Sequence, residues 1–306
     1  MIQLNAVTPG PLRYVGYFER HVAGAEANVA VGTVRMGLSA GMITMLGGDE
    51  FGRCIMMALR GEGVDTSHVG VEKHGFTGVY FIQRGYPVPG RSRVFYYRKG
   101  SAASKLGPNQ VDPGYVASSK LLYLTGITPA LSKSCHGACK KALDEAKRAG
   151  LKVALDTNIR PALWQDRDPA GVLVPMLRKV DIIFTDASDA RLLIGQRTEA
   201  KAAEKFLSMG ASIVVIKGGA RGSVAFTKKR VYRQKAFVVP VVDPVGAGDA
   251  FGSAFVSGYL KGWRIEDCLA AASAAGSLVV TTRGDQENIP TESDIKDFLR
   301  AQQREE

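Results

Sequence analysis

Asp243, Pro244, Val245, Gly246, Ala247, Gly248 and Asp249 run directly into a stretch of small and apolar residues that ends at Leu260. Glycine has no Cβ to hold the chain away from a ligand, so the amides of Gly246, Ala247 and Gly248 can crowd around an anion at the start of the following helix. That helix adds roughly half a positive charge at its amino end, and Asp249 stands on its first turn. A hydroxyl attacking a terminal phosphate must lose a proton while the transferring group is held in line and its charge is neutralised. Asp249 can take the proton, and the amides can meet the charge. A glycine turn before a tightly packed helix is common by itself, but here two carboxylates, Asp243 and Asp249, bracket it. The segment points to phosphoryl transfer.

A second cluster lies far upstream. Residues 94–98 read Val-Phe-Tyr-Tyr-Arg, and the strand period of two places Tyr96 and Arg98 on one face with Tyr97 on the other. An aromatic hydroxyl beside a forked guanidinium suits a substrate bearing a carboxylate. Arg160 is a further candidate cation. It lies in Asp156-Thr157-Asn158-Ile159-Arg160-Pro161, which follows a strand, and Pro161 would end it in a loop at the carboxyl edge of a sheet. Taken singly, each arginine reads as a surface ion-pair residue. Together they are more than a neutral sugar needs.

The elements that must position these groups alternate. Residues 43–46, 121–125, 153–156, 181–185 and 213–217 read as strands, and residues 25–36, 50–61, 133–149, 199–209 and 247–260 as helices. Near-continuous Val/Ile/Leu strands alternating with helices predict an α/β fold with a mainly parallel central sheet covered on both faces. Ligands of such sheets collect at the carboxyl ends of the strands. Residues 78–84 and 93–98 break the rhythm as a long-looped β-hairpin, with residues 12–22 as a third strand. This small sheet is placed to act as a lid that excludes water. The expected organisation is one domain over 1–306, with a lid from about 8–22 and 76–100 and an α/β core from about 23–75 and 101–306.

The 306 residues, 45% of them hydrophobic, can bury a sizeable core. The apolar runs are too short and too broken to span a membrane, and the first residues do not resemble a secretory signal, so a cytoplasmic protein is expected. A net charge of +11 raises nucleic acid as a partner. The basic residues are scattered and not interleaved with aromatics along one stripe, which argues against it. Cys54, Cys135, Cys139 and Cys268 form no C-x-x-C pair, and the cluster of Cys135, His136 and Cys139 reads as buried thiols rather than a metal site.

The run from Asp243 to Asp249 closely resembles the second signature of the PfkB, or ribokinase, family of sugar kinases. Gly24-Ala25-Glu26-Ala27-Asn28, Gly37, Gly47-Gly48-Asp49 and Phe51-Gly52 look like its first, sugar-binding signature. The resemblance spans nearly the whole chain. It implies a ribokinase-like fold, Asp249 as catalytic base, an anion hole from Gly246, Ala247 and Gly248, and the cofactors ATP and Mg²⁺, with a monovalent cation as a further candidate. No G-x-x-x-x-G-K-[ST] loop is present, and Ile216-Lys217-Gly218-Gly219-Ala220-Arg221-Gly222 resembles the family's ATP-contacting loop, although a plain glycine hairpin reads as well. The implied nucleotide contacts are Asn158, Lys217, Gly218, Gly219, Arg221, Gly222, Gly246, Gly248 and Ala275.

Residues 76–85, 96–102, 126–130 and 156–161 are similar to the 2-keto-3-deoxygluconate kinase branch, especially its archaeal members. That branch implies substrate contacts at Gly24, Asn28, Tyr80, Tyr96, Arg98, Arg160, Asp249 and Asp285. It implies ATP-dependent phosphorylation of the terminal hydroxyl of the keto acid, or of its galactonate epimer, within sugar-acid catabolism of the Entner–Doudoroff type. Three features depart from the pattern. The chain begins too late to contain all of the family's first strand, so its start reads as truncated or misassigned. Val245 stands where the family often has Thr. Thr185-Asp186-Ala187-Ser188-Asp189 replaces the usual Asn and Glu spacing, leaving Asp186 and Asp189 to hold Mg²⁺ through water. The rivals are a kinase of this fold for ribose, fructose or a nucleoside, and a non-catalytic sugar-acid sensor. A nicotinamide oxidoreductase lacks its G-x-G-x-x-G. Apolar Phe81, Val94 and Phe95 on the lid offer an edge that a second copy could cover, so a homo-oligomer is expected.

Overall fold

The computed structural model describes residues 1–165 and 167–305. Its strands are β1 (Ile2–Ala6), β2 (Phe18–Val22), β3 (Thr44–Gly47), β4 (Val69–Glu72), β5 (Val79–Arg84), β6 (Ser92–Tyr97), β7 (Leu121–Thr125), β8 (Lys152–Asp156), β9 (Ile182–Asp186), β10 (Ile213–Lys217), β11 (Ser223–Thr227) and β12 (Val231–Gln234). Its helices are α1 (Ala25–Arg35), α2 (Glu50–Gly61), α3 (Pro113–Ala117), α4 (Thr128–Leu131), α5 (Lys133–Arg148), α6 (Pro161–Trp164), α7 (Pro169–Leu177), α8 (Ala187–Ile194), α9 (Glu199–Ser208), α10 (Ala247–Leu260), α11 (Ile265–Val279) and α12 (Glu292–Glu305).

The central sheet has six strands in the order β12-β11-β10-β9-β8-β7. β7, β8, β9 and β10 are parallel, and β11 and β12 extend the sheet antiparallel. Successive residues point to opposite faces. Ile183, Val214 and Ile216 pack into one core with Leu143 of α5, Leu173 of α7 and Phe206 of α9. Ile182, Phe184 and Val215 pack into the other with Phe255 of α10 and Ala272 of α11. Both faces are covered, which is why these strands read as unbroken apolar runs.

α1 and α10 meet where neither carries bulk. A Cβ on Gly32 would stand 2.2 Å from Ser253 Oγ, so only glycine admits this approach. Asn28 lies one turn before Gly32 and Asp249 one turn before Ser253, so the tight crossing also brings Asn28 to Asp249.

A four-stranded outer sheet runs β2-β1-β5-β6. The hairpin of β5 and β6 forms as the sequence suggests, pairing Tyr80 with Tyr96 and Phe81 with Phe95. Two expectations are corrected here. Residues 12–22 are not one strand: Leu12–Tyr14 is a 3-10 turn and only Phe18–Val22 is extended. The sheet also gains β1, parallel to β5, because Ile2 and Leu4 can pack under it with Val22 and Val79. A third correction concerns residues 43–46, which lie outside the central sheet. β3 pairs in parallel with β4 instead, while β7 forms the end of the six-stranded sheet.

Candidate active site

Asn28 stands on the buried face of α1 and donates through Nδ2 to Asp249 Oδ2 at 2.8 Å and to Asp285 Oδ1 at 2.6 Å. One amide thus ties together two carboxylates from α10 and from the loop after α11. Burial pushes Asp249 up to about 6; the Asn28 hydrogen bond opposes that rise and the charge of Asp156 adds to it. Burial pushes Asp285 further, to about 8, and the neighbouring Asp249 adds to the rise. At neutral pH Asp249 is mostly ionised and Asp285 mostly protonated, so the pair carries about one charge.

Tyr80 completes this group. Its hydroxyl lies 3.1 Å from Asp285 Oδ2 and 3.2 Å from Gln3 Oε1. It has one hydrogen to give. Both Asp285 Oδ2 and Gln3 Oε1 are placed to accept it. The outer sheet is thereby hydrogen-bonded to the residue beside Asp249.

The carboxyl ends of the central strands supply the other polar groups. Lys217, the last residue of β10, places Nζ 2.5 Å from Asp156 Oδ2 at the end of β8. It also lies on the open side of the glycine turn: a Cβ on Gly248 would meet only Lys217 Nζ, at 3.5 Å. Gly246 caps α10 with φ 81°, the left-handed region open to glycine. The geometry leaves room against the amino end of α10, with a lysine beside it, as an anionic phosphate chain requires. Asn158, at φ 33°, and the exposed Arg160 line the same space. Residues 157–160 form the expected loop at the carboxyl end of β8, and Pro161 then opens the short α6, where its missing N–H costs nothing.

Asn28, Tyr80, Asn158, Arg160, Lys217, Gly246, Gly248, Asp249 and Asp285 face one cavity of about 600 Å³. Tyr96 and Arg98 approach it from the outer sheet, whereas Tyr97 is 62% exposed. Among the described residues Arg98 has no ion-pair partner: Nη1 touches Met1 Sδ at 3.4 Å, and the buried Nε has no acceptor. Glu26, also on the cavity wall, accepts hydroxyl hydrogens from Thr125 and Thr128 through Oε1. Gly24, Asn28, Tyr80, Tyr96, Arg98, Asn158, Arg160, Lys217, Gly246, Gly248, Asp249 and Asp285 are thus brought together.

Other expected residues are placed differently. Gly218, Gly219, Arg221 and Gly222 form a tight turn after β10 away from the cavity wall. A Cβ on Gly222 would stand 2.2 Å from Gln234 O, so packing against the end of β12 accounts for that glycine. Ala275 is 1% exposed in the core with α10 residues. Asp189 is buried and accepts from Thr157 Oγ1 and Ile159 N. Burial raises its proton affinity, and a carboxyl turned inward in this way is a poor Mg²⁺ ligand. Asp186 caps α8 through Oδ1; burial pulls its pKa up, but the hydrogen bonds of Ser188 and Asp189 outweigh this and hold it below the ordinary value. No cluster of three or more His, Cys, Asp or Glu side chains suited to a metal occurs among the described residues. Asp186 together with phosphate oxygens and water fits Mg²⁺, which keeps much of its hydration shell; a preformed cage does not.

Gly47, Gly48 and Asp49 of the first signature serve packing. A Cβ on Gly47 would lie 2.6 Å from Thr77 N, and one on Gly48 2.5 Å from Lys73 O. Asp49 caps α2 and accepts from Thr77 N and Oγ1 at 2.7 Å. Sequence reasoning passed over the Lys217–Asp156 pair and Glu26. Their signal was position, since charged residues that end buried parallel strands or open a helix beside them face the ligand edge.

The match to known proteins agrees with this geometry. Residues 1–292 match the family described as pfkB family carbohydrate kinase. The chain is 47% identical over 303 residues to a 2-dehydro-3-deoxygluconokinase of Thermoproteus tenax, covering 98% of this chain and 92% of that protein. It is 32% identical to a 5-dehydro-2-deoxygluconokinase of Clostridium perfringens, covering 96% and 88%. A solved putative ribokinase II of E. coli in complex with ATP and Mg²⁺ superposes with a TM-score of 0.92 at 27% identity, covering 98% and 96% of the two chains. Glycine turn, paired carboxylates, sheet topology and these similarities converge: the chain belongs to the pfkB family of carbohydrate kinases.

Proposed function

We propose that this kinase transfers the terminal phosphoryl group of ATP to the terminal hydroxyl of 2-keto-3-deoxygluconate, also named 2-dehydro-3-deoxygluconate, to give the 6-phosphate. The observation that carries this reading is Arg98, a guanidinium on the cavity wall with no ion-pair partner among the described residues and a buried, unsatisfied Nε. A buried cation left unpaired is costly, and a substrate carboxylate would satisfy it. Arg160 at the rim and the hydroxyls of Tyr80 and Tyr96 complete an acid-binding end. The identity to the Thermoproteus tenax enzyme supports the same choice.

In the proposed reaction Arg98, Tyr96 and Arg160 orient the acid so that its far hydroxyl reaches Asp249. Asp249 takes the hydroxyl proton while that oxygen forms its bond to the γ-phosphorus and the bond to the bridging oxygen breaks, releasing ADP. The amides of Gly246, Ala247 and Gly248, with Lys217, stabilise charge on the transferring group. Mg²⁺, when bound, neutralises part of the polyphosphate charge, with Asp186 in reach through water. Val245 removes a hydroxyl but keeps its backbone amide.

The organisation we infer is one domain whose outer sheet is a lid. Val94 and Tyr97 on that sheet are exposed, which supports pairing of two copies through it; light scattering of the purified chain tests this. Among the described residues no helix is long and apolar enough to cross a membrane, which is compatible with a cytoplasmic location.

A coupled ADP-release assay with 2-keto-3-deoxygluconate, its galactonate epimer, 5-keto-2-deoxygluconate, ribose, fructose and adenosine tests the reading. Highest kcat/KM on the first acid, or equal rates on the two epimers, supports it. Turnover of neutral substrates with none of the acids overturns it.

A further inference from the structure

Arg84 and Asp243 join the lid to the glycine turn. Arg84 ends β5, donating Nε to Asn5 Oδ1 at 2.7 Å and Nη2 to Asp243 Oδ2 at 2.7 Å. Asn5, on β1, donates Nδ2 to the same Asp243 oxygen at 3.1 Å. The other oxygen of Asp243 accepts the amide of Val245 at 3.2 Å, the residue before Gly246. One carboxylate therefore takes two donors from the lid on one side and one from the turn on the other. The group is dry: the Arg84 and Asp243 side chains are 14% and 5% exposed, and Asn5 is fully buried.

We propose that Arg84 is a positioning residue for phosphoryl transfer, acting through Asp243 to couple the place of the lid to the orientation of the amides at residues 245–248. The inference rests on the proposed reading in one respect, that the amides of Gly246, Ala247 and Gly248 face the transferring phosphoryl group. Fixed donors are effective when they are aimed before the reaction starts. The Arg84 fork spans two partners with defined geometry, so the lid sheet and the turn move as one body. Asp243, which brackets the turn in the sequence, thereby finds its role without touching the substrate. Pro244 shortens the link further, because its fixed φ leaves little freedom between the carboxylate and Val245.

The test compares the wild-type chain with Arg84→Ala and Arg84→Lys by steady-state kinetics and by hydrogen exchange without ligands. For Arg84→Ala we expect kcat to fall about 30- to 100-fold, the scale of a small misplacement remote from the chemistry, with KM for the acid within about threefold. Added guanidinium ion restores part of kcat, Arg84→Lys retains more activity than Arg84→Ala, and exchange at 245–248 speeds up in Arg84→Ala. Wild-type kcat and wild-type exchange in Arg84→Ala overturn the coupling. So does a rise in KM with kcat intact, which places Arg84 in substrate binding alone. If Arg84→Ala fails to fold, Arg84→Gln, which keeps the stem and one donor, carries the same comparison. A wild-type chain that releases no ADP with any acid or sugar fails the proposed function instead, and the exchange experiment still decides whether Arg84 holds the turn.

Discussion

Asn28 Nδ2 lies 2.8 Å from Asp249 Oδ2, and this contact favours the ionised form of the carboxylate that burial works to neutralise. The proposed base is therefore poised near neutrality. As a base it works when deprotonated, so kcat/KM should fall tenfold per pH unit below about 6 and level off above it. Replacing Asn28 with Leu removes the favourable hydrogen bond and should move that limb to higher pH. A limb at the same pH in both proteins would show that Asn28 does not tune Asp249. Asp249→Asn should lower kcat by about 10²- to 10⁴-fold, the usual yield of a positioned base.

Arg98→Ala should cost about 2 to 4 kcal/mol in kcat/KM for the keto acid, the scale of leaving a buried charge partner unpaired. For a neutral sugar turned over slowly by the same protein, the change should be small. Equal losses on acid and neutral substrates would mean that Arg98 supports the fold and does not read the carboxylate.

The two glycines of the turn should respond differently to alanine. At Gly246 a Cβ meets Asp285 Oδ1 at 2.9 Å with φ at 81°, so Gly246→Ala should lose about 1 to 2 kcal/mol of stability from the left-handed conformation alone. At Gly248 the Cβ meets only the flexible end of Lys217. Gly248→Ala should keep its melting temperature and lose about 10²- to 10³-fold in kcat, as when an anion-hole donor is blocked. Calorimetry beside kinetics separates the two; a Gly248→Ala enzyme of normal kcat would remove the phosphate from that space.

Asp285 makes the stability of the ligand-free protein depend on pH. Its folded pKa, about 8, lies above the ordinary 3.8, so the folded state binds the proton more tightly than the unfolded chain. The stability this provides is complete below about 4 and is lost as pH rises through about 8. Asp285→Asn removes the dependence and should melt a few degrees above the wild type at pH 9, with little difference at pH 4. Parallel melting curves for both proteins across that range would contradict the raised pKa.

The parts of this molecule legible in its sequence are those where a local pattern decides the outcome. β7, β10, α2 and α10 were readable to the residue because apolar runs, caps and glycines bound them. The turn before α10 could be read for the same reason, and Tyr96 with Arg98 because the strand period fixes their common face. What could not be read depends on distant partners. β1 looks like any short apolar strand; only its pairing with β2 and β5 assigns it to the outer sheet. Asp243 promised a place in the chemistry by its position beside the turn, yet its partners Asn5 and Arg84 come from the far end of the chain. Asp189 carried the right side chain for a metal, but Thr157 and Ile159 engage it internally. Composition does not show which way a carboxylate turns.

The outer sheet draws its strands from two separate stretches, β1 with β2 and β5 with β6. In the proposed reading, Tyr96 and Arg98 for the acid and the glycine turn for the phosphate therefore come from separate stretches of the chain, and a chimaera trades one while keeping the other. Grafting the β5–β6 hairpin alone would bring a foreign Arg98 equivalent but strand the native Asn5 against a new neighbour. A functional transplant has to move both stretches together, as a cassette that brings its own fastening to Asp243.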